Sequence, residues 1–272
     1  MVVLNKPKDF TSQYAVTKVK KILKVKKAGH SGTLDPMARG ILLVCLNEST
    51  KIASFLMELE KEYIFKARFG ISTDTYDAEG KITKVVDNFE INSLKLEEIL
   101  RKFTGEIMQI PPMYSAVKVE GKPLYKLARK GIELERKPKK VIIYSIGIER
   151  FEPPFVTFRV VCSKGTYMRS LCHDIGEEMG IGAHIVELTR TRIGNFIIED
   201  SINLDGLKEF VESASFNERN LQPSALSLKP NKWFLSIDQA LYFLPSVIIQ
   251  DTFVRRFLNG NSVKIPFGIV PA

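Results

Sequence analysis

The sequence predicts a mixed α/β fold, and three observations carry that reading. Residues 61–69 alternate, with Tyr63, Phe65, Ala67 and Phe69 on one face, the period of a half-buried strand. Apolar runs at 41–46 and 155–162 have the length of core strands rather than of independent helices. Residues 11–24 and 93–103 place their apolar side chains at helical spacing instead. At 272 residues the chain has room for one or two domains with a sizeable core, and 44% hydrophobic with 26% charged residues is an ordinary globular composition.

Residues 2–4 read as a short strand that Asn5-Lys6-Pro7 breaks. Thr11 or Ser12 caps a helix to about Lys24, with Val16, Val19 and Leu23 on its buried face. Lys18, Lys20, Lys21 and Lys24 fall largely off that face. The first thirty residues hold eight lysines against Asp9 alone, a basic surface suited to guiding phosphates. Ala28–Gly40 follows, with glycines at 29, 32 and 40, and Pro36 biases Asp35 away from helix. A carboxylate on a tight loop anchored by the strand at 41–46 is held rigidly at a cleft edge. Asp-Pro is also a common turn opener, and spacing alone leaves both readings open.

A helical stretch runs to about Leu59 before the strand at 61–69. Residues 71–81 form a loop or turn, Thr73-Asp74-Thr75-Tyr76-Asp77-Ala78-Glu79-Gly80, whose acids lack calcium-loop spacing. A strand at 82–86 and a helix at 93–103 follow, with Leu96, Ile99, Leu100 and Phe103 inward and Thr104-Gly105 as the stop. Residues 118–140 hold nine basic residues against three acids, together with Tyr125, a mix suited to gripping folded RNA through phosphates and shape. Strands are expected at 141–144 and 155–162, then a helix from about Ser170 to Gly180. Residues 213–232 are rich in Ser, Asn and Pro and read as a linker. A final helix near 250–258 ends at Asn259-Gly260.

A formal net charge of +9 points to a polyanionic partner, nucleic acid ahead of membrane. No uninterrupted apolar run approaches bilayer-spanning length, and the N-terminal apolar run is too short for a signal peptide. Cys45, Cys162 and Cys172 form no CxxC pair and read as reduced, packed thiols of a cytoplasmic protein. Cys162, Cys172, His173 and His184 match no common zinc spacing. The sequence carries no phosphate-loop motif and no dinucleotide fingerprint.

Several blocks together resemble one family. Gly29-His30-Ser31-Gly32-Thr33-Leu34-Asp35-Pro36, Lys61-Glu62-Tyr63, Gln109–Ala116, Lys164-Gly165-Thr166-Tyr167-Met168-Arg169 and Gly182–Arg190 are similar to signatures of the TruB-type tRNA pseudouridine synthases. The resemblance covers residues 1–200 and, weakly, the remainder. It implies a large, mainly antiparallel sheet flanked by helices in a catalytic domain at 1–230, with 118–140 as an RNA-binding thumb. It implies a short PUA-like module at 231–272. The implied reaction converts uridine to pseudouridine at position 55 of the tRNA T-loop, by base flipping and without a cofactor.

The resemblance assigns Asp35 as nucleophile, Arg169 as its partner, and Tyr63 to base stacking and proton transfer. Tyr167 and Leu188 contact the uridine, His30 helps hold the flipped state, and Lys6 joins the substrate-binding set. The expected partner is the tRNA T stem-loop, bound by a monomer with no membrane contact. The alternatives are a synthase for another RNA uridine, or a tRNA-binding or tRNA-folding protein in which catalysis is secondary.

Overall fold

A computed structural model describes residues 1–115, 118–119, 122–124, 128, 131–132, 134–218, 232–247, 249, 251–260 and 269–270. Tyr125, much of the basic 118–140 stretch and residues 219–231 of the expected linker lie outside the described residues.

The main sheet has nine strands among the described residues. Its path is β1 (Val2–Lys6), β3 (Arg39–Leu46), β12 (Ala183–Ile193), β4 (Lys61–Phe69), β11 (Phe155–Cys162), β10 (Lys139–Glu152) and β7 (Gly105–Gln109). The strands β2 (Ala28–His30) and β13 (Phe196–Ile197) pair with β3 and β12 off that path. Every pairing in it is antiparallel except that of β12 with β3. The expected mixed fold with a large, mainly antiparallel sheet is therefore what forms.

The alternation in β4 does what its period requires. Tyr63, Phe65, Ala67 and Phe69 are buried in one cluster with Leu96 and Ile99 of the helix Ser93–Lys102 and Leu171 and Ile175 of the helix Met168–Glu178. On β3 both faces are buried: Ile41 and Leu43 pack into one cluster, Leu42 and Val44 into another. That second cluster receives helix α1 (Ser12–Ile22), capped by the Thr11 hydroxyl, through Ala15, Val16 and Val19. Lys18, Lys20, Lys21, Lys24, Lys26 and Lys27 all lie on the exposed side.

Several elements depart from their expected bounds. The strand expected at 141–144 continues to Glu152, because β11 pairs along it through the turn at Pro153-Pro154. The residues after Thr104 extend into β7, which pairs with the start of β10. His30 ends β2, opposite Val44, rather than sitting in an irregular loop. A helix spans Leu204–Glu218 and overruns the start of the expected linker; Leu207 on it is fully buried, and Phe210 meets Trp233 edge-on at 5.0 Å. Leu204, Leu207, Phe210 and Val211 fall at helical spacing, and it is the Ser and Asn residues from 213 onward that read as linker.

Residues 232–243 pack onto the same body. The Val3 amide donates to the Trp233 carbonyl at 2.8 Å, and the Leu235 amide to Met1 at 2.9 Å, covering the β1 edge. Ala240 is fully buried in one cluster with Ile41 and Leu43. The terminal helix Asp251–Leu258 falls where it is expected. Among the described residues no helix is long and apolar enough to cross a membrane.

Candidate active site

Asp35 sits on the loop between β2 and β3, and the loop is tied down at every step. The Leu34 amide donates to Ser12 Oγ at 2.8 Å, and that hydroxyl donates back to the Leu34 carbonyl at 3.0 Å. The Pro36 carbonyl accepts from the Asp9 amide at 2.8 Å. The Ala38 amide closes on the Asp35 carbonyl at 3.1 Å. Pro36 shapes the turn from one side while the buried β3 holds the other, as the spacing of the segment anticipates.

Arg169 meets this loop from the first turn of the helix Met168–Glu178. Its Nε donates to Asp35 Oδ2 at 2.8 Å and its Nη2 to Oδ1 at 3.1 Å, a two-point fork. The guanidinium is 4% exposed and the Asp35 side chain 30% exposed, so the carboxylate stays partly open to solvent while its partner is buried. Nη2 also donates to the Tyr114 carbonyl at 2.8 Å, and Nη1 to Thr75 at 3.2 Å.

Asp77 brings a second carboxylate to Arg169, Oδ2 to Nη1 at 3.5 Å. Its Oδ1 accepts from the Thr75 hydroxyl at 2.6 Å and the Glu79 amide at 3.1 Å. The loop carrying it docks on β12, where Ile185 bridges Asp77 and exchanges backbone bonds with Tyr76 and Ala78. Sequence reasoning singled out this Thr-Asp-Thr loop without giving Asp77 a role. Its burial, which only the fold shows, is what makes a cation partner necessary.

The other expected site residues fall as follows. Tyr63 is buried on β4, with Leu188 and Leu34 in the same apolar cluster. Burial pushes its phenol above the ordinary tyrosine range, opposed by Arg190, so it is neutral near pH 7. Tyr167 precedes the Arg169 helix, and burial raises its phenol as well. Gln109 clamps the Tyr167 backbone with both ends of its amide, at 2.7 and 3.0 Å. His30 is half-buried, and burial with nearby Arg190 lowers its imidazole below the usual range, so it too is neutral at pH 7.

Lys6 is placed differently from a ligand contact. It is fully buried, and its ammonium donates to the carbonyls of Pro7 at 2.8 Å, Phe10 at 2.7 Å and Pro36 at 3.3 Å. Burial lowers it to about 8. Its geometry is that of a clamp on the chain beside Asp35.

The described residues thus bring Asp35, Arg169 and Asp77 into one charged cluster and bury Tyr63 and Leu188 in one apolar cluster with Leu34. The sequence matches known proteins over most of its length. A family model described as TruB family pseudouridylate synthase, N-terminal domain, matches residues 20–168, and one described as tRNA pseudouridylate synthase B C-terminal domain matches 169–235. A curated tRNA pseudouridine synthase B from Clostridium kluyveri is 46% identical over 261 residues, 96% of this chain and 84% of that protein. One from Francisella philomiragia is 48% identical over 77% of this chain and 70% of that protein.

Among solved structures, a chain of a Cbf5-Nop10-Gar1 complex is similar with a TM-score of 0.71 at 32% identity, over 95% of this chain and 66% of that one. A chain from an H/ACA RNP bound to a substrate RNA containing 2′-deoxyuridine gives 0.69 at 29% identity, over 96% of this chain and 67% of that one. The chain spans about two thirds of the length of these solved chains.

Proposed function

The chain belongs to the TruB family of pseudouridylate synthases, and from that premise we propose that it isomerises the T-loop uridine of tRNA at conventional position 55, with Asp35 as nucleophile. The observation that carries the residue assignment is the Asp35–Arg169 fork, with its carboxylate partly exposed.

A uridine inside a folded loop must leave its stack before it can react. Extrusion costs a few kcal/mol, offset by stacking and hydrogen bonds in the pocket. Tyr63, Tyr167 and Leu188 are the surfaces for that base, and His30, at the end of β2, takes the space it vacates. Arg169 holds Asp35 in a two-point fork and aims it, as a nucleophile or a stabiliser of charge at C1′ requires. Overall, the N1–C1′ bond breaks, the C5–C1′ bond forms, the C5 proton leaves and N1 gains one. The product is an isomer, so no electron acceptor is consumed. Neutral Tyr63 faces the base as the first candidate for proton handling. Lys6 serves by holding Pro36, and with it the height of Asp35.

The exposed lysines of α1 flank the loop that carries Asp35 and supply phosphate contacts for the T stem. The catalytic domain is taken as residues 1–230, with a short RNA-binding module at 231–272. The protein acts as a cytoplasmic monomer.

Pseudouridine mapping on an unmodified tRNA transcript tests the substrate. The expected result is conversion at the T-loop uridine and none in a transcript carrying cytidine there. Conversion confined to another position would keep the chemistry and overturn the substrate. Tight binding without conversion would favour the tRNA-folding alternative.

A further inference from the structure

Arg190 has no part in the chemistry above, yet it heads the fully buried side chains by size at 1% exposure. Its partners among the described residues are all uncharged. Nε donates to the Ile41 carbonyl at 2.8 Å, and Nη1 and Nη2 reach the Thr33 and Gly32 carbonyls at 3.4 Å each. Tyr63 is the residue directly opposite it across β12 and β4, and the guanidinium lies near enough to the phenol to oppose the upward shift that burial imposes. A buried cation without a counter-charge is costly, and an apolar side chain would fill the same space more cheaply.

We propose that Arg190 is a positioning residue for the isomerisation, one rigid guanidinium that sets both the direction of the Tyr63 hydroxyl and the height of the Gly32–Asp35 loop. The proposal rests on the pseudouridine-forming reading of the site. Arginine has donors and no acceptor, so towards Arg190 the Tyr63 oxygen accepts and the phenol proton turns to its other side. The same side chain holds the carbonyls two and three residues before Asp35, so nucleophile and phenol share one support.

That support is itself immobile. β12 runs parallel to β3 with Arg190 beside Gly40, and a Cβ on Gly40 would lie 2.2 Å from the Arg190 carbonyl oxygen. The ladder of β12 on β4 shifts register between Arg190 and Arg192, which re-aims the side chains there. Lysine at 190 would keep the charge but could not span Ile41, the Gly32–Thr33 carbonyls and Tyr63 together.

The test combines activity with a measurement made without RNA. In single-turnover conversion of tRNA, Arg190→Lys should slow the rate roughly 100-fold while tRNA affinity stays within about threefold. Adding Tyr63→Phe to Arg190→Lys should slow it less than Tyr63→Phe slows the native enzyme, because the two act through one contact. Without RNA, a fluorotyrosine at position 63 followed by fluorine NMR should titrate at higher pH in Arg190→Lys than beside the native arginine. An unmoved titration, or fully additive rate losses, would overturn the proposal.

If Arg190→Lys does not fold, Tyr63→Phe removes a single oxygen and the arginine side-chain resonances of that variant decide. The Arg190 signals should move, and unchanged signals would overturn the proposal. Because the NMR readouts need no substrate, they stand apart from any failure of the tRNA assay.

Discussion

Arg169 faces two carboxylates, so its removal strands both. Arg169→Ala leaves Asp35 and the buried Asp77 without their cation, a loss of about 3–5 kcal/mol where burial is strong. Turnover should fall at least roughly 1,000-fold, since the nucleophile loses its aim, while tRNA affinity changes little. Asp77→Asn is the milder change. It removes one charge but leaves the Asp35 fork, so a loss of roughly 10- to 100-fold in single-turnover rate is expected, with tRNA binding intact. Equal losses in rate and affinity for either variant would contradict these roles. The pairing of Asp35 with Arg169 was legible because each sits in a compact local block that resembles the family, and the two blocks meet in the fork. Asp77 was not, because nothing within its loop announces the arginine 92 positions on that it meets at 3.5 Å. Lys6, which the resemblance placed in the substrate-binding set, has its ammonium taken up by three backbone carbonyls, a burial that sequence does not display.

At the scale of elements, the junction of β3 and β12 holds the site together. Gly40 has φ +108°, and any side chain there meets the Arg190 backbone. Gly40→Ala combines left-handed strain with a backbone clash, so a loss of about 3 kcal/mol or more is expected by denaturant unfolding. Gly105, at φ +93° with open space around it, is the control. Its alanine variant should lose only about 1 kcal/mol, from strain alone. Comparable losses at both positions would mean that the close approach of the strands is not what Gly40 serves. Strand and helix periodicity announced β3, β4, β11, α1 and the helix at 93–102 because each buries one regular face or two. It missed the length of β10 and the helix at 204–218. β10 is largely exposed beyond Ile143 and held by its neighbours, and in the 204–218 helix Leu207 is the one fully buried side chain among those described.

For the whole molecule, pH dependence follows from Asp174. Burial raises its carboxyl from 3.8 to about 6, with Glu177 adding to the shift. A carboxyl that binds its proton more tightly when folded stabilises the fold at low pH. That contribution fades as pH climbs from 3.8 to about 6, and above 6 the buried charge costs up to about 3 kcal/mol. Asp174→Asn should therefore be more stable than the native protein at pH 7–8 and no more stable at pH 4, as measured by urea unfolding at both. A constant difference at the two pH values would contradict the assignment. Net charge and the lysine-rich face of α1 make nucleic acid the natural partner, a conclusion that needed only composition and helical phase.

The most direct test of the account is Asp35→Asn assayed in parallel with the native enzyme for pseudouridine formation and for tRNA binding. The substitution keeps shape and removes only the charge that Arg169 holds. The expected result is complete loss of conversion with tRNA affinity preserved within about threefold, the signature of a group used only in the transition state. Conversion that persists in Asp35→Asn would contradict the central claim.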